Sequence, residues 1–69
     1  MEKNMTAQRI RAFRKLKGLT QNQLAEQLDV SIAILGAIER GTRKPDAKII
    51  HKISEVLGID PEELLPVAK

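Results

Sequence analysis

Between Gln21 and Arg40 the apolar residues fall into two short runs with the spacing of a helix face, parted by three residues that fit neither run. In the first run, Gln21 to Leu28, Leu24, Ala25 and Leu28 share one face. Asp29-Val30-Ser31 then breaks the pattern. The second run turns Leu35 and Ile38 inward and closes at Arg40-Gly41. The remainder of the chain reads as bracing and flanks for this pair.

Individual residues in the stretch sharpen that reading. Thr20 followed by Gln23 is a capping box: the hydroxyl accepts a hydrogen bond from an otherwise orphaned N–H, and the glutamine reaches back. Ala25 is small where two helices must approach, and Val30 can plug the joint from above. Ser31 supplies an N-cap acceptor for the second helix, and Gly41 a left-handed stop. Two short helices joined through such a turn form a helix-turn-helix unit, whose second helix is the one that enters a DNA major groove.

Length and charge bound what surrounds the unit. Sixty-nine residues make one small domain. There is no cysteine, hence no disulfide and no thiolate metal site, and the lone His51 cannot hold a metal by itself. No apolar run approaches the ~20 residues of a membrane span, and no signal-peptide core is present, so a cytoplasmic protein is expected, with no membrane partner. Phe13 is the only aromatic residue, which argues against single-strand binding by base stacking. The net charge is +3, and its placement is uneven. Lys3, Arg9, Arg11, Arg14, Lys15 and Lys17 crowd the start, and Arg40, Arg43 and Lys44 follow the second helix of the unit. Asp60, Glu62 and Glu63 gather at the other end. Each basic cluster alone could be a solvated helix face; beside a helix-turn-helix pattern the asymmetry suits a face turned toward phosphate.

In chain order, residues 1–5 are unpatterned and read as a tail. Thr6 is placed to cap a first helix over Ala7 to Lys17, with Ile10, Phe13, Leu16 and Ala12 inward and Gly18 as its stop. After the central pair, Gly41-Thr42-Arg43-Lys44-Pro45 is a loop. Asp46 caps a fourth helix over Ala47 to Leu57, whose apolar stripe is Ile49, Ile50, Ile53, Val56 and Leu57. Asp60-Pro61-Glu62-Glu63 has the signature of another helix start, predicting a short fifth helix with Leu64 and Leu65 before Pro66 and a tail over 66–69. The expected fold class is all-α: five helices around one core spanning 6–65, with no strand pattern or repeat.

These residues carry a resemblance. Arg14-Lys15-x-Lys17-Gly18-Leu19-Thr20-Gln21, Leu24-Ala25-x-x-Leu28, Val30-Ser31, Leu35-x-x-Ile38-Glu39-Arg40-Gly41-x-Arg43-x-Pro45 and Leu57-Gly58-Ile59 resemble the phage-repressor and Cro family, also called the Xre family, over nearly the whole chain. The resemblance implies a lambda-repressor-like domain in a transcriptional regulator, a repressor that binds double-stranded DNA at a pseudo-palindromic operator as a homodimer. It implies DNA-backbone contacts from Gln21 and Asn22, where helix N–H groups favour an anion, and from Thr42, Arg43 and Lys44 across the groove. Base edges would face Ile32, Ala33, Gly36 and Ala37, and Arg14 with Glu39 would form a buried ion pair bracing the reading helix. The dimer contact would involve Ile59, Asp60 and Pro61, with Leu64 or Leu65.

Two departures stand out. Ile32, Ala33, Gly36 and Ala37 carry no side-chain donor or acceptor, so they can meet thymine methyls but cannot make a bidentate contact to guanine or adenine. Phosphate contacts would then dominate affinity. Asp29 stands where the family usually has glycine in the turn. The apolar third helix also supports a second reading, a protein-interaction module on the same fold (an antitoxin, an anti-repressor or a subunit of a larger regulator) with a protein partner in place of DNA. Gln21 and the Arg40/Arg43/Lys44 group argue for DNA. No Ser/His/Asp set, phosphate-cradling glycine loop or metal cluster suggests an enzyme, and no cofactor is expected.

Overall fold

The computed structural model describes residues 5–65; of the tail expected over 1–5, positions 1–4 lie outside the described residues, as does the tail expected over 66–69. Four α-helices follow one another: α1 (Met5–Leu16), α2 (Gln21–Leu28), α3 (Ile32–Arg40) and α4 (Ala47–Leu57), and then a 3₁₀ turn, Pro61–Glu63. No strand occurs among the described residues.

Local chemistry sets most of the boundaries. Thr20 Oγ1 accepts from the Gln23 backbone N–H at 3.1 Å, while Gln23 Oε1 accepts from the Thr20 N–H at 2.9 Å, so both halves of the capping box are closed. Ser31 Oγ accepts from the Ile34 N–H at 3.1 Å, and Asp46 Oδ1 from the Ile49 N–H at 2.9 Å. α3 ends where Gly41 turns left-handed (φ 81°), a conformation that a Cβ disfavours. α2 ends in the same way without glycine. Asp29 takes φ 61°, ψ 39°, and the following Val30 N–H donates to Ala25 O at 3.1 Å.

One core joins the helices: Ile10 from α1, Leu24, Ala25 and Leu28 from α2, Leu35 and Ile38 from α3, Ile50, Ile53 and Leu57 from α4, and Leu64. α3 packs on α1 and α2, and α4 on α2, α1 and the 3₁₀ turn. Val30 and Ile34 lie half-buried against this core. At a core position of this kind, truncation to alanine costs about 2–5 kcal/mol, a large share of the stability of so small a domain.

The structure corrects three expectations. α1 is already formed at Met5, so Thr6 lies in its first turn rather than capping it. Its buried residues are Ala7, Ile10 and Arg14, whereas Leu16 is 78% exposed and Ala12 is also exposed. At about 100° per residue, a step of six positions swings well off the face that steps of three and four maintain. The fifth helix is a three-residue 3₁₀ turn, and Asp60 makes no side-chain cap hydrogen bond. Pro66 disfavours a helical Leu65, and Pro61 lies only five positions before it, too short a span for an α-helix to establish.

What secures the 3₁₀ turn comes from far away in sequence. Arg9 Nη1 donates to Glu63 O at 3.2 Å and to Leu65 O at 3.0 Å. One cation of the N-terminal cluster thus holds the end of the domain.

Candidate nucleic-acid interface

The faces that could meet a duplex are held in place by one buried polar network. Arg14 Nε donates to Glu39 Oε2 at 2.7 Å and Arg14 Nη2 to Glu39 Oε1 at 3.1 Å, a side-on bidentate pair between α1 and α3. Arg14 Nη1 donates to Leu19 O at 2.8 Å, tying in the loop before α2. Gln21 Nε2 donates to Glu39 Oε1 at 3.1 Å, which brings in the first residue of α2. Side chains from α1 and α2 therefore converge on one α3 carboxylate, whose side chain is 1% exposed. Burying such charges is costly, and the cost is offset only when every polar atom is matched. No buried side-chain nitrogen or oxygen among the described residues lacks a partner.

Around this brace the surface is basic. Arg11 and Lys15 on α1, Thr20 and Gln21 at the start of α2, and Arg40 and Thr42 at the end of α3 line one open groove. Asn22 is exposed beside it, while Gln21 is half-buried by its bond to Glu39. Arg43 and Lys44 are exposed in the loop beyond α3. The Thr42 and Arg43 N–H groups both donate to Ala37 O, at 3.0 and 3.2 Å, and Thr42 Oγ1 donates to the same carbonyl at 3.2 Å. The first turn of that loop is thereby fixed to the helix it follows.

Of the four positions expected to face base edges, two are open. Ile32 is 43% exposed and Ala33 is exposed, both in the first turn of α3. Ala37 is half-buried, and Gly36, expected on the outward run, is buried. The cover over Gly36 is largely a side chain: a Cβ placed there would lie 3.2 Å from Arg40 Nη1 and 3.9 Å from Gln21 Oε1. Inspection of outward positions misses this, because it assigns each surface spot to the residue directly beneath. On a helix, a long side chain covers the turn N-terminal to its own Cα.

Of the residues expected at a dimer contact, all but Leu64 are at least partly exposed. Asp60 is exposed, and Ile59 and Pro61 are half-buried. Leu64 is wholly buried in the core of the single chain and offers nothing to a second copy, whereas Leu65 is 42% exposed. Among the described residues, no group of His, Asp or Glu is placed to hold a metal ion, and no helix is long and apolar enough to cross a membrane.

Comparison with known proteins extends this geometry. Residues 10–64 match the helix-turn-helix family. The chain is 52% identical over 69 residues to YazB of Bacillus subtilis, an uncharacterized HTH-type transcriptional regulator, covering the whole of both chains. It is 39% identical over 59 residues to the control protein C.BamHI of Bacillus amyloliquefaciens, covering 84% of this chain and 73% of that one. The crystal structure of the restriction-modification controller protein C.AhdI from Aeromonas hydrophila superposes with a TM-score of 0.86 at 34% identity, covering 93% of this chain and 97% of that chain.

Proposed function

The chain belongs to the helix-turn-helix family and is a DNA-binding transcription regulator; from that premise we propose that it works as a homodimeric repressor at a pseudo-palindromic operator, in the cytoplasm. The α3 helix lies in the major groove, with Ile32 and Ala33 leading. Phosphates on one side meet Gln21, Asn22 and the basic groove of Arg11 and Lys15, and those on the other side meet Thr42, Arg43 and Lys44. A controller protein of a restriction-modification system shares this fold. Occupying an operator and excluding what else must bind there suits a domain of this size.

The observation that carries this reading is the Arg14–Glu39–Gln21 network. It holds the start of α2 and the end of α3 in one orientation, and two phosphate-contacting edges can grip a duplex only if their separation is fixed. One α3 reaches one half-site. Two half-sites about 34 Å apart need a second copy, and Ile59, Asp60 and Pro61, with Leu65 in place of Leu64, are the surface proposed for it.

Fluorescence anisotropy with random-sequence duplex DNA, titrated from low to physiological salt, tests the reading. Binding should weaken steeply with salt, and the Arg43→Ala/Lys44→Ala variant should lower the slope of log K against log salt by about 2, one per lost phosphate contact. A folded protein that binds no duplex at low salt would instead favour a protein partner docking on the exposed Ile32.

A further inference from the structure

The four α3 positions expected to face base edges, Ile32, Ala33, Gly36 and Ala37, have no hydrogen-bonding side chain with which to tell one base pair from another. The structure places such a group there from elsewhere. Arg40 belongs to the last turn of α3, and its side chain folds back one turn so that Nη1 lies against Gly36. Four residues of rise carry the guanidinium about 6 Å toward the N-terminal end of the helix, the end that approaches base edges in this motif. Nothing else occupies it: no hydrogen bond or ion pair to a described residue holds Arg40, in contrast to Arg9 and Arg14, and the side chain is exposed.

Gly36 gives the guanidinium room to lie close. A Cβ there would stand 3.2 Å from Arg40 Nη1, closer than ordinary van der Waals contact, and the guanidinium would have to shift outward by a few tenths of an ångström. Glycine in a helix interior is otherwise a liability. Here its missing side chain leaves a slot that the Gln21 amide also borders, and the Glu39 hydrogen bond keeps that amide in place.

We infer that Arg40, seated in the Gly36 slot, is the specificity-determining residue of this protein, and that it reads a guanine in the major groove of each half-site. The inference rests on the DNA-binding reading above and deepens it. The chemistry is that of a planar fork of N–H donors matched to the O6 and N7 acceptors of guanine. Ile32 and Ala33 exclude water beside it and meet thymine methyls.

The experiment is selection of duplexes from a randomised pool by the wild-type protein. Competition anisotropy then follows, on the selected duplex and on one in which the enriched guanine pair is replaced by adenine-thymine, using wild type, Arg40→Ala and Gly36→Ala. Wild type should prefer the guanine duplex by about tenfold or more. Arg40→Ala should bring that ratio close to one while leaving the substituted duplex bound within a few-fold. Gly36→Ala, confirmed folded by circular dichroism, should lower the same ratio with no charge removed. Equal weakening on both duplexes by Arg40→Ala would make Arg40 a phosphate contact and overturn the inference. So would an unchanged ratio in either variant, or a selected pool without an enriched guanine. Failure of the wild type to bind any duplex would overturn the DNA reading itself, and is told apart by the random-sequence titration.

Discussion

Asp29 is the one described residue other than glycine with a positive φ, and it sits in the turn that sets the angle between α2 and α3. Its Cβ is strained there by about 1 kcal/mol or more relative to glycine. Asp29→Gly should therefore raise the melting temperature by a few degrees, since about 1 kcal/mol corresponds to some 4–8 °C in a domain of this size. Thermal unfolding followed by circular dichroism checks it; a lower melting temperature would mean that glycine's extra freedom in the unfolded chain outweighs the strain relieved. The strain was legible through the family resemblance, because Asp29 stands where that family usually has glycine. The caps were legible in the residues themselves: Thr20, Ser31 and Asp46 act on backbone N–H groups three residues away. Arg40 over Gly36 was not, because position along a helix does not say which way a long flexible side chain lies.

At the scale of elements, the chain shows where local rules stop. α2, α3 and α4 have their expected bounds because each begins at a side-chain cap and ends in a left-handed residue. In α1 the inner face departs from expectation, since it is completed by a charged residue: Arg14 is buried while Leu16 is not. Hydrophobic pattern cannot announce a buried arginine whose partner lies 25 residues away. The 3₁₀ turn likewise depends on Arg9, 54 and 56 residues from the carbonyls it serves. Arg9→Ala should release that turn while α1 to α4 remain. Amide hydrogen exchange is the measurement, with faster exchange at Leu64 and Leu65, which donate within the turn, and little change at Leu24 or Leu35. Acceleration spread evenly over all helices would show that the turn does not open separately.

For the whole molecule, Arg11, Lys15 and Arg40 line one basic groove, while exposed Asp60, Glu62, Glu63 and Leu65 surround the 3₁₀ turn. On the proposed dimer, a charge at the half-buried Ile59 should disrupt the contact without unfolding the chain. Ile59→Lys should sediment as a monomer at concentrations where wild type is a dimer, and should bind a two-half-site operator about as weakly as a single half-site. Sedimentation velocity and anisotropy on the two duplexes read this out; wild-type-like behaviour in both would place the contact elsewhere.

Two of the three arginines of α1, Arg9 and Arg14, face different tasks from one rigid rod. Arg9 grips the turn next to the proposed dimer surface, and Arg14, five residues on, grips the helix that enters the groove. About 7.5 Å of helix rise separates them. On the proposed dimer, the spacing of the two reading heads is therefore set by a fixed strut and not by a linker. An operator lengthened by a single base pair between its half-sites would move one head off its target in both distance and rotational phase, and the chain has no slack there with which to follow.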